Sequence, residues 1–312
     1  MRNKPKIGLL GLGGESIFLT VDHFHSGGET LAATSLYSEP GGKGYNQAVA
    51  AARLGADCLF LGAFGRDANG RLCEDFLKNE GITPLLQYTD TPTATAAILT
   101  DKTGETRVTV YRGAADCLTP DFVTEQRTAL QSCSALLLGL ECPLEATLAA
   151  AEIGWEQDIP VFLNPAPAQP LPLSLLKRFY LITPNRAEAC QLLGLPLETP
   201  LPDLARAFFD AGFTRAVVTL GGDGALLIEE GKALQFGALP TRPKDTTGAG
   251  DTFNAALVLA VCEGQALTQA VELAMNAAAI SVAHAHVMPG LPTRAEVEQA
   301  FLPCSVTPVF EI

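Results

Sequence analysis

The segment Asp245-Thr246-Thr247-Gly248-Ala249-Gly250-Asp251 sets two carboxylates around a glycine turn, directly before the apolar stretch Thr252 to Cys262. Gly248 and Gly250 allow tight turns whose amides point outward. A helix opening there adds unpaired N–H groups and the positive end of its dipole, which together make an anion site. Asp251, where the helix begins, is placed to take a proton from a hydroxyl attacking a bound phosphate. The bland alternative is that Asp251 only caps the helix. A second glycine turn, Gly41-Gly42-Lys43-Gly44-Tyr45-Asn46-Gln47, leads into a helix that runs to Leu54 and stops at Gly55. Lys43 and Asn46 can donate hydrogen bonds to a polar ligand there, or the segment is a plain turn before a helix. In Thr183-Pro184-Asn185-Arg186-Ala187-Glu188, the residues Asn185 and Glu188 are three apart and share one side of a first helical turn. They suit a metal–phosphate unit held through water, and they suit an N-cap pair equally well. Thr219-Leu220-Gly221-Gly222-Asp223-Gly224 lies between two strands, as a hairpin turn or as a rest for a nucleotide.

Other chemistry-bearing residues are less organised. The four histidines form two H-x-H pairs, His23/His25 and His284/His286. On a strand such a pair shares a face and can hold a transition metal, but no cysteine or carboxylate cluster at ligand spacing accompanies either pair. The first pair falls in a β-rich segment where it could line a substrate mouth. Eight cysteines (58, 73, 117, 133, 142, 190, 262 and 304) are scattered without a C-x-x-C, so they read as reduced, mostly buried thiols of a cytoplasmic protein. Gly11-Leu12-Gly13-Gly14 hints at a dinucleotide fingerprint, but Ser16 stands where its third glycine belongs. No G-x-x-x-x-G-K-[ST] is present, so the phosphate cradle is not a Walker A loop.

The elements that must position these groups alternate. Strands are expected at Ile7 to Leu12, Cys58 to Ala63, Ala135 to Leu140, Pro160 to Leu163, Tyr180 to Thr183 and Ala216 to Leu220. Between them lie helical stretches with readable ends. Leu201, Leu204, Ala205 and Phe208 form an apolar stripe stopped by Gly212, Thr119-Pro120 opens another helix, and Thr293 with Glu296 makes a capping box. Buried strands alternating with helices imply parallel βαβ units and a sheet covered on both faces. Two segments break the rhythm. Thr93 to Thr100 and Thr106 to Tyr111 read as a hairpin around Asp101 to Glu105, and Phe18 to Ser38 is strand-like without helical periodicity. They imply a small β-layer on the α/β body.

The 312 residues carry 47% hydrophobic side chains, ample for a large core, which excludes disorder and coiled coil. Lys plus Arg number 21 against 34 for Asp plus Glu, a net charge of −13, so the surface repels phosphates on average and nucleic acid is not an expected partner. An anionic ligand therefore needs a local device. No apolar run approaches the roughly 20 residues of a membrane helix, so no membrane partner is expected either. Met1 to Lys6 is basic, but the run behind it is short and ends in glycines, which reads as a first strand and no signal peptide.

The four glycine-rich and Asn/Glu motifs, in this order and separation, resemble the ribokinase/PfkB carbohydrate kinases from about Lys6 to Arg294. Gly139-Leu140-Glu141-Cys142-Pro143 and Asn164-Pro165-Ala166-Pro167-Ala168 add to the resemblance. It implies one ribokinase-like domain over residues 1–312, a doubly wound, mainly parallel sheet with helices on both faces. A small β-sheet lid from about 15–40 and 93–113 would be inserted in it. It implies transfer of the γ-phosphate of ATP to a hydroxymethyl group of a sugar, or of a nucleoside. Asp251 would be the base and the Gly248-Ala249-Gly250 amides the anion hole. Gly42, Lys43, Asn46 and Glu141 would contact the sugar. Asn185 and Glu188 would serve the phosphate–Mg2+ network, and Thr219, Gly221, Gly224 and Asn276 would lie along the nucleotide. A monovalent cation such as K+ would sit by Asp245 and Thr247, completed near Ala283 to Gly290, although ribokinase has a serine where Gly290 falls. Relatives also pair through the lid, which implies a homodimer. The sequence departs from the family on the first strand, where Asn and Asp hydrogen-bond the sugar and this chain has Gly14 and Ser16. Either Glu15 takes over with a shifted register, or the acceptor is a polyol or nucleoside other than ribose. The same departure motivates a non-catalytic sugar-binding protein on this fold, against which the intact Asp251 loop argues.

Overall fold

Strands whose residues are apolar on both faces need cover on both faces, and this governs the architecture of the computed structural model, which describes residues 4–311. The strands are β1 (Lys6–Leu10), β2 (Gly14–Val21), β3 (Ser35–Gly41), β4 (Asp57–Gly65), β5 (Thr83–Thr89), β6 (Ala94–Asp101) and β7 (Thr106–Tyr111). They continue with β8 (Ala135–Gly139), β9 (Val161–Asn164), β10 (Leu181–Ile182), β11 (Arg215–Thr219), β12 (Ala225–Glu229), β13 (Lys232–Phe236) and β14 (Val306–Glu311). The helices are α1 (Lys43–Arg53), α2 (Ala68–Asn79), α3 (Pro120–Glu125), α4 (Arg127–Leu130), α5 (Leu144–Glu156) and α6 (Leu173–Leu176). They are followed by α7 (Arg186–Leu193), α8 (Leu201–Asp210), α9 (Ala249–Cys262), α10 (Leu267–Ser281) and α11 (Arg294–Gln299).

The main sheet runs β14-β13-β12-β11-β10-β9-β8-β1-β4-β5. From β11 to β5 all neighbours are parallel, whereas β12, β13 and β14 extend it antiparallel. Alternate residues feed two cores. Ile7, Leu9, Leu137 and Val217 pack under α1, α9 and α10, while Leu10, Leu136, Leu138 and Val218 pack on the opposite face under α5 and α8. Chain order reverses at β1, whose neighbours are β4 and β8, so the ligand crevice is expected outside the carboxyl ends of these strands.

A second, four-stranded sheet has the order β3-β2-β6-β7. Its hairpin β6–β7 turns where the sequence predicts. The strand-like segment 18–38 is instead two strands that begin and end outside it, with residues 22–34 looping between them. Thr119, Asn185 and Thr293 cap α3, α7 and α11 through their side chains. All eight cysteines are free thiols, and no helix among the described residues is long and apolar enough to cross a membrane. Met1–Asn3, half of the basic N-terminal segment, lie outside the described residues.

Candidate active site

Two helices open without a side-chain cap at the same end of the main sheet. Gly42 precedes α1, and Gly248, with φ 80°, precedes α9. Their first-turn amides are left to bond something else. At α1 that something is Glu141, which follows β8 and accepts from Lys43 N at 3.2 Å and Gly44 N at 3.1 Å. At α9, Ala249 N donates to the Thr246 carbonyl at 3.3 Å, while Gly250 is exposed with open space where its β-carbon would be.

Asp251, one residue into this turn, is buried and doubly held. Its Oδ2 accepts from Asn46 Nδ2 at 2.8 Å and its Oδ1 from Gln47 Nε2 at 3.2 Å. Gln47 also donates to Asn164 Oδ1 at 3.2 Å, and Asn164 donates to the Thr183 carbonyl at 2.9 Å. The network thus ties α1, α9, β9 and the end of β10 together. Burial pushes the Asp251 carboxyl up from its ordinary range, opposed by the Lys43 ammonium and the two carboxamides. Burial likewise pushes Glu141 up to about 7, with the Asp251 charge adding to the rise and the Gly44 and Lys43 groups opposing it. Lys43 itself is raised, chiefly by Asp251. Asn46 Oδ1 and Gln47 Oε1 are buried without a protein partner. An unpaired buried acceptor costs about 1–3 kcal/mol, so these two oxygens call for donors such as ligand hydroxyls.

Beside the anion turn lies a cavity of about 390 Å³, walled by Thr219, Gly221, Gly224, Ala249, Gly250 and Met275 among others. Its lining is mainly apolar, with the glycine turn of residues 219–224 along one side. It suits a flat aromatic ring leading to an anion at the α9 terminus.

An uncapped anion turn, a buried carboxylate and a nucleotide-sized cavity gathered at one end of the sheet have a counterpart among known proteins. The pfkB carbohydrate kinase family matches residues 14–294. The chain belongs to that family. Ribokinase of Bacillus subtilis is 36% identical over 301 residues, covering 96% of this chain and 99% of its own. Ribokinase of Haemophilus influenzae is 36% identical over 282 residues, covering 89% and 92%. The solved structure of Arabidopsis thaliana ribokinase complexed with ribose and ATP superposes with a TM-score of 0.87 at 27% identity, covering 96% and 99%. This chain is an ATP-dependent carbohydrate kinase with the ribokinase-like fold.

Within this pfkB kinase, Gly42, Lys43, Asn46, Glu141, Asp251 and the Gly248-Ala249-Gly250 turn converge on one crevice. Thr219, Gly221 and Gly224 line the neighbouring cavity. Asn185 and Glu188 cap α7 reciprocally, with Glu188 N donating to Asn185 Oδ1 at 2.9 Å and Asn185 N donating to Glu188 Oε2 at 2.8 Å. The cap does not remove Glu188 from the site, since its carboxyl senses both Lys43 and Asp251. Asp245 accepts from Thr247 N at 2.9 Å and from His286 N at 3.2 Å, which brings the 284–290 loop to the anion turn.

Other expectations are corrected. The register of β2 is not shifted so as to turn Glu15 inward: residues 14, 16 and 18 share one face, Glu15 lies on the other, and it accepts from Asn69 Nδ2 at 2.7 Å. Asn276 does not line the cavity. Its amide donates to the carbonyls of Glu272 and Leu302, and its oxygen accepts from Leu302 N, so it anchors the chain after α11. Position 290 has no room for a serine in this backbone, because a β-carbon there would lie 2.9 Å from the Ser281 carbonyl. Neither histidine pair gathers ligands: His23 pairs with Glu29, and among the described residues no three His, Cys, Asp or Glu side chains form a metal-binding group. Gln47 and Asn164 join the site without a role that the sequence motifs assign to them. Gln47 lay one residue past Asn46 in the same motif, and Asn164 opened the NPAPA block.

Proposed function

We propose that this kinase transfers the γ-phosphate of ATP to the hydroxymethyl group of a pentose of the ribose class, with Asp251 as general base. The observation that carries the reading is the buried Asp251 carboxylate, held by Asn46 and Gln47 at the uncapped terminus of α9. In the proposed step, Asp251 takes the hydroxyl proton while the hydroxyl oxygen bonds to the γ-phosphorus and the bond to the β-phosphate oxygen breaks, releasing ADP. The amides of Gly248 to Gly250 stabilise the charge on the transferring group, and Lys43 adds a cation near Asp251. Asn46 Oδ1, Glu141 and the Gly42 turn receive the sugar hydroxyls. The adenine lies in the cavity beside Thr219, Gly221 and Gly224.

Mg2+ bound to the nucleotide phosphates suits this site. Magnesium keeps several waters and needs only one or two carboxylates, and Glu188 beside Lys43 and Asp251 is well placed for that. A K+ ion would use Asp245, Thr247 and the carbonyls of the 283–290 loop, without a side-chain ligand from Gly290. We read residues 1–312 as one kinase domain whose small sheet acts as a lid. Its outer face carries Ile17, Leu19, Leu36, Leu99 and Tyr111, which fits a homodimer formed through the lids. The free thiols fit a reducing compartment such as the cytoplasm.

The relatives' names put ribose first among acceptors, although Gly14 and Ser16 leave fewer side chains to hold it. Gly14 is built in, because a β-carbon there would lie 2.1 Å from the Ala94 carbonyl across the β2–β6 pairing. An ADP-release assay across ribose, deoxyribose, other pentoses, hexoses, polyols and nucleosides tests the reading, with Asp251→Asn as control. Loss of a general base typically costs about 10²–10⁴ in rate. We expect that loss for Asp251→Asn with ADP binding retained. Turnover unchanged in Asp251→Asn removes the base assignment, and a panel silent with wild-type protein removes the sugar kinase reading.

A further inference from the structure

A buried carboxylate, Glu39, and a histidine with a strained backbone, His286, meet at one place. Glu39, on the inward face of β3 and two residues before the sugar turn, is only 5% exposed. Its carboxylate accepts from Val287 N at 2.8 Å and Met288 N at 3.0 Å, and from the Tyr37 hydroxyl at 3.3 Å. His286 has φ 66°, the left-handed region that a β-carbon disfavours. Such strain persists only where the surroundings over-determine it. Here the imidazole stacks on Tyr37 with centroids 3.9 Å apart and meets Phe18 edge-on at 5.2 Å, while its amide is held by Asp245. Next in the chain, Val287 lies against the anion turn, since a β-carbon at Gly248 would be 2.6 Å from Val287 Cγ1. An unbroken series of contacts therefore runs from β2 and β3 of the small sheet, through residues 286–288, to the first residue of the anion hole.

We propose that Glu39 and His286 are positioning residues that clamp the lid strands to the loop behind the anion turn, so that the sugar-binding and phosphate-binding turns are set together. The proposal rests on the kinase reading for its catalytic consequence but not for its structural one. A clamp of this kind would make γ-phosphate alignment depend on the lid, which favours transfer to the sugar over transfer to water.

The first test is hydrogen–deuterium exchange on full-length, ligand-free protein. Glu39→Ala is expected to speed exchange at 286–290 and also at 247–252, with which Glu39 shares no hydrogen bond. Faster exchange confined to 286–290 overturns the proposal, whether or not any sugar is turned over. The second test is kinetic, with the best acceptor from the panel. Glu39→Ala is expected to lower kcat about tenfold, since small misplacements are amplified at a transfer site. ADP affinity, measured without sugar, should stay within about twofold because the cavity is walled by other residues. Glu39→Gln, which keeps one acceptor oxygen, should recover part of the loss. If Glu39→Ala does not fold, His286→Gly serves: it relieves the strained backbone and should keep the melting temperature while still lowering kcat. A kcat unchanged in these variants, or an ADP affinity that falls in step with kcat, overturns the proposal in favour of a purely stabilising role. A wild-type chain that turns over no acceptor counts against the kinase reading, and the exchange result alone then decides the clamp.

Discussion

At the scale of single residues, the crevice gathers three carboxyls that burial raises and one ammonium, all four shifted upward. Asp251 is buried beneath amide donors, Lys43 is held charged by it, and Glu141 and Glu188 are raised by burial. Glu141 gives the clearest pH test. Its folded pKa of about 7 lies above the ordinary 4.5, so it ionises only as pH rises through about 7. If it accepts sugar hydroxyls, KM for the acceptor should fall across that range and rise again below it, with KM for ATP much flatter. Glu141→Gln should hold KM high and pH-independent, by about tenfold or more given the strength of bonds to charged acceptors. Linkage runs in the matching direction: the folded state holds this proton more tightly than the unfolded chain. The stabilisation from this group is thus complete below about pH 4.5 and disappears by about pH 7 in the unliganded protein. Thermal melts of wild type and Glu141→Gln across that range would show the difference, and parallel curves would refute it.

At the scale of elements, what was legible followed from burial. The six expected strands all occur in the main sheet, because central parallel strands are apolar on both faces and announce themselves as runs. The capping boxes and the β6–β7 hairpin were equally readable, since their chemistry is local. β5 was not, being an edge strand with Thr, Gln and Pro among its leucines. β13 and β14 are short and polar-interleaved, and they pair across some 70 residues of sequence, which no local pattern encodes. Glu39 was illegible for the same reason: its partners lie 248 and 249 residues away. Glu15 shows the converse: a carboxylate near the sugar turn in sequence, it lies on the other face of β2 by strand alternation. Alternation also defines the outer face of the small sheet, where Leu36 is 70% exposed and pairs with Leu19, which in turn pairs with Leu99. Apolar side chains in register on an open face favour association. Leu36→Asp is expected to shift the mass seen by sedimentation from a dimer towards a monomer, with the melting temperature of the main body little changed. A monomeric wild type, or a dimer indifferent to Leu36→Asp, would remove the lid as the interface.

At the scale of the whole molecule, the two turns that flank the reaction hang on different parts of the fold. The anion turn begins α9, which is buried along most of its length against α1 and α10 and is therefore fixed. The sugar turn joins β3 to α1, so it belongs half to this rigid core and half to the small sheet. Asn46 and Gln47 bridge the two by bonding Asp251 directly. This division predicts how ligands act together. ADP alone should bind the cavity and stabilise the core by ordinary mass action, about 2.7 kcal/mol at a hundredfold excess over Kd. On the proposed reading, sugar alone would draw the small sheet over the crevice and supply a donor to the unpaired Asn46 oxygen. With both present, the ordering of the lid and its loop is shared between them, so each should raise the affinity of the other by the same factor. Calorimetric titration of sugar into protein with and without saturating ADP and Mg2+ measures that factor directly, and the reverse titration must return it. We expect tighter sugar binding when ADP is present, and equal sugar affinity in the two titrations would mean that the lid and the anion turn move independently.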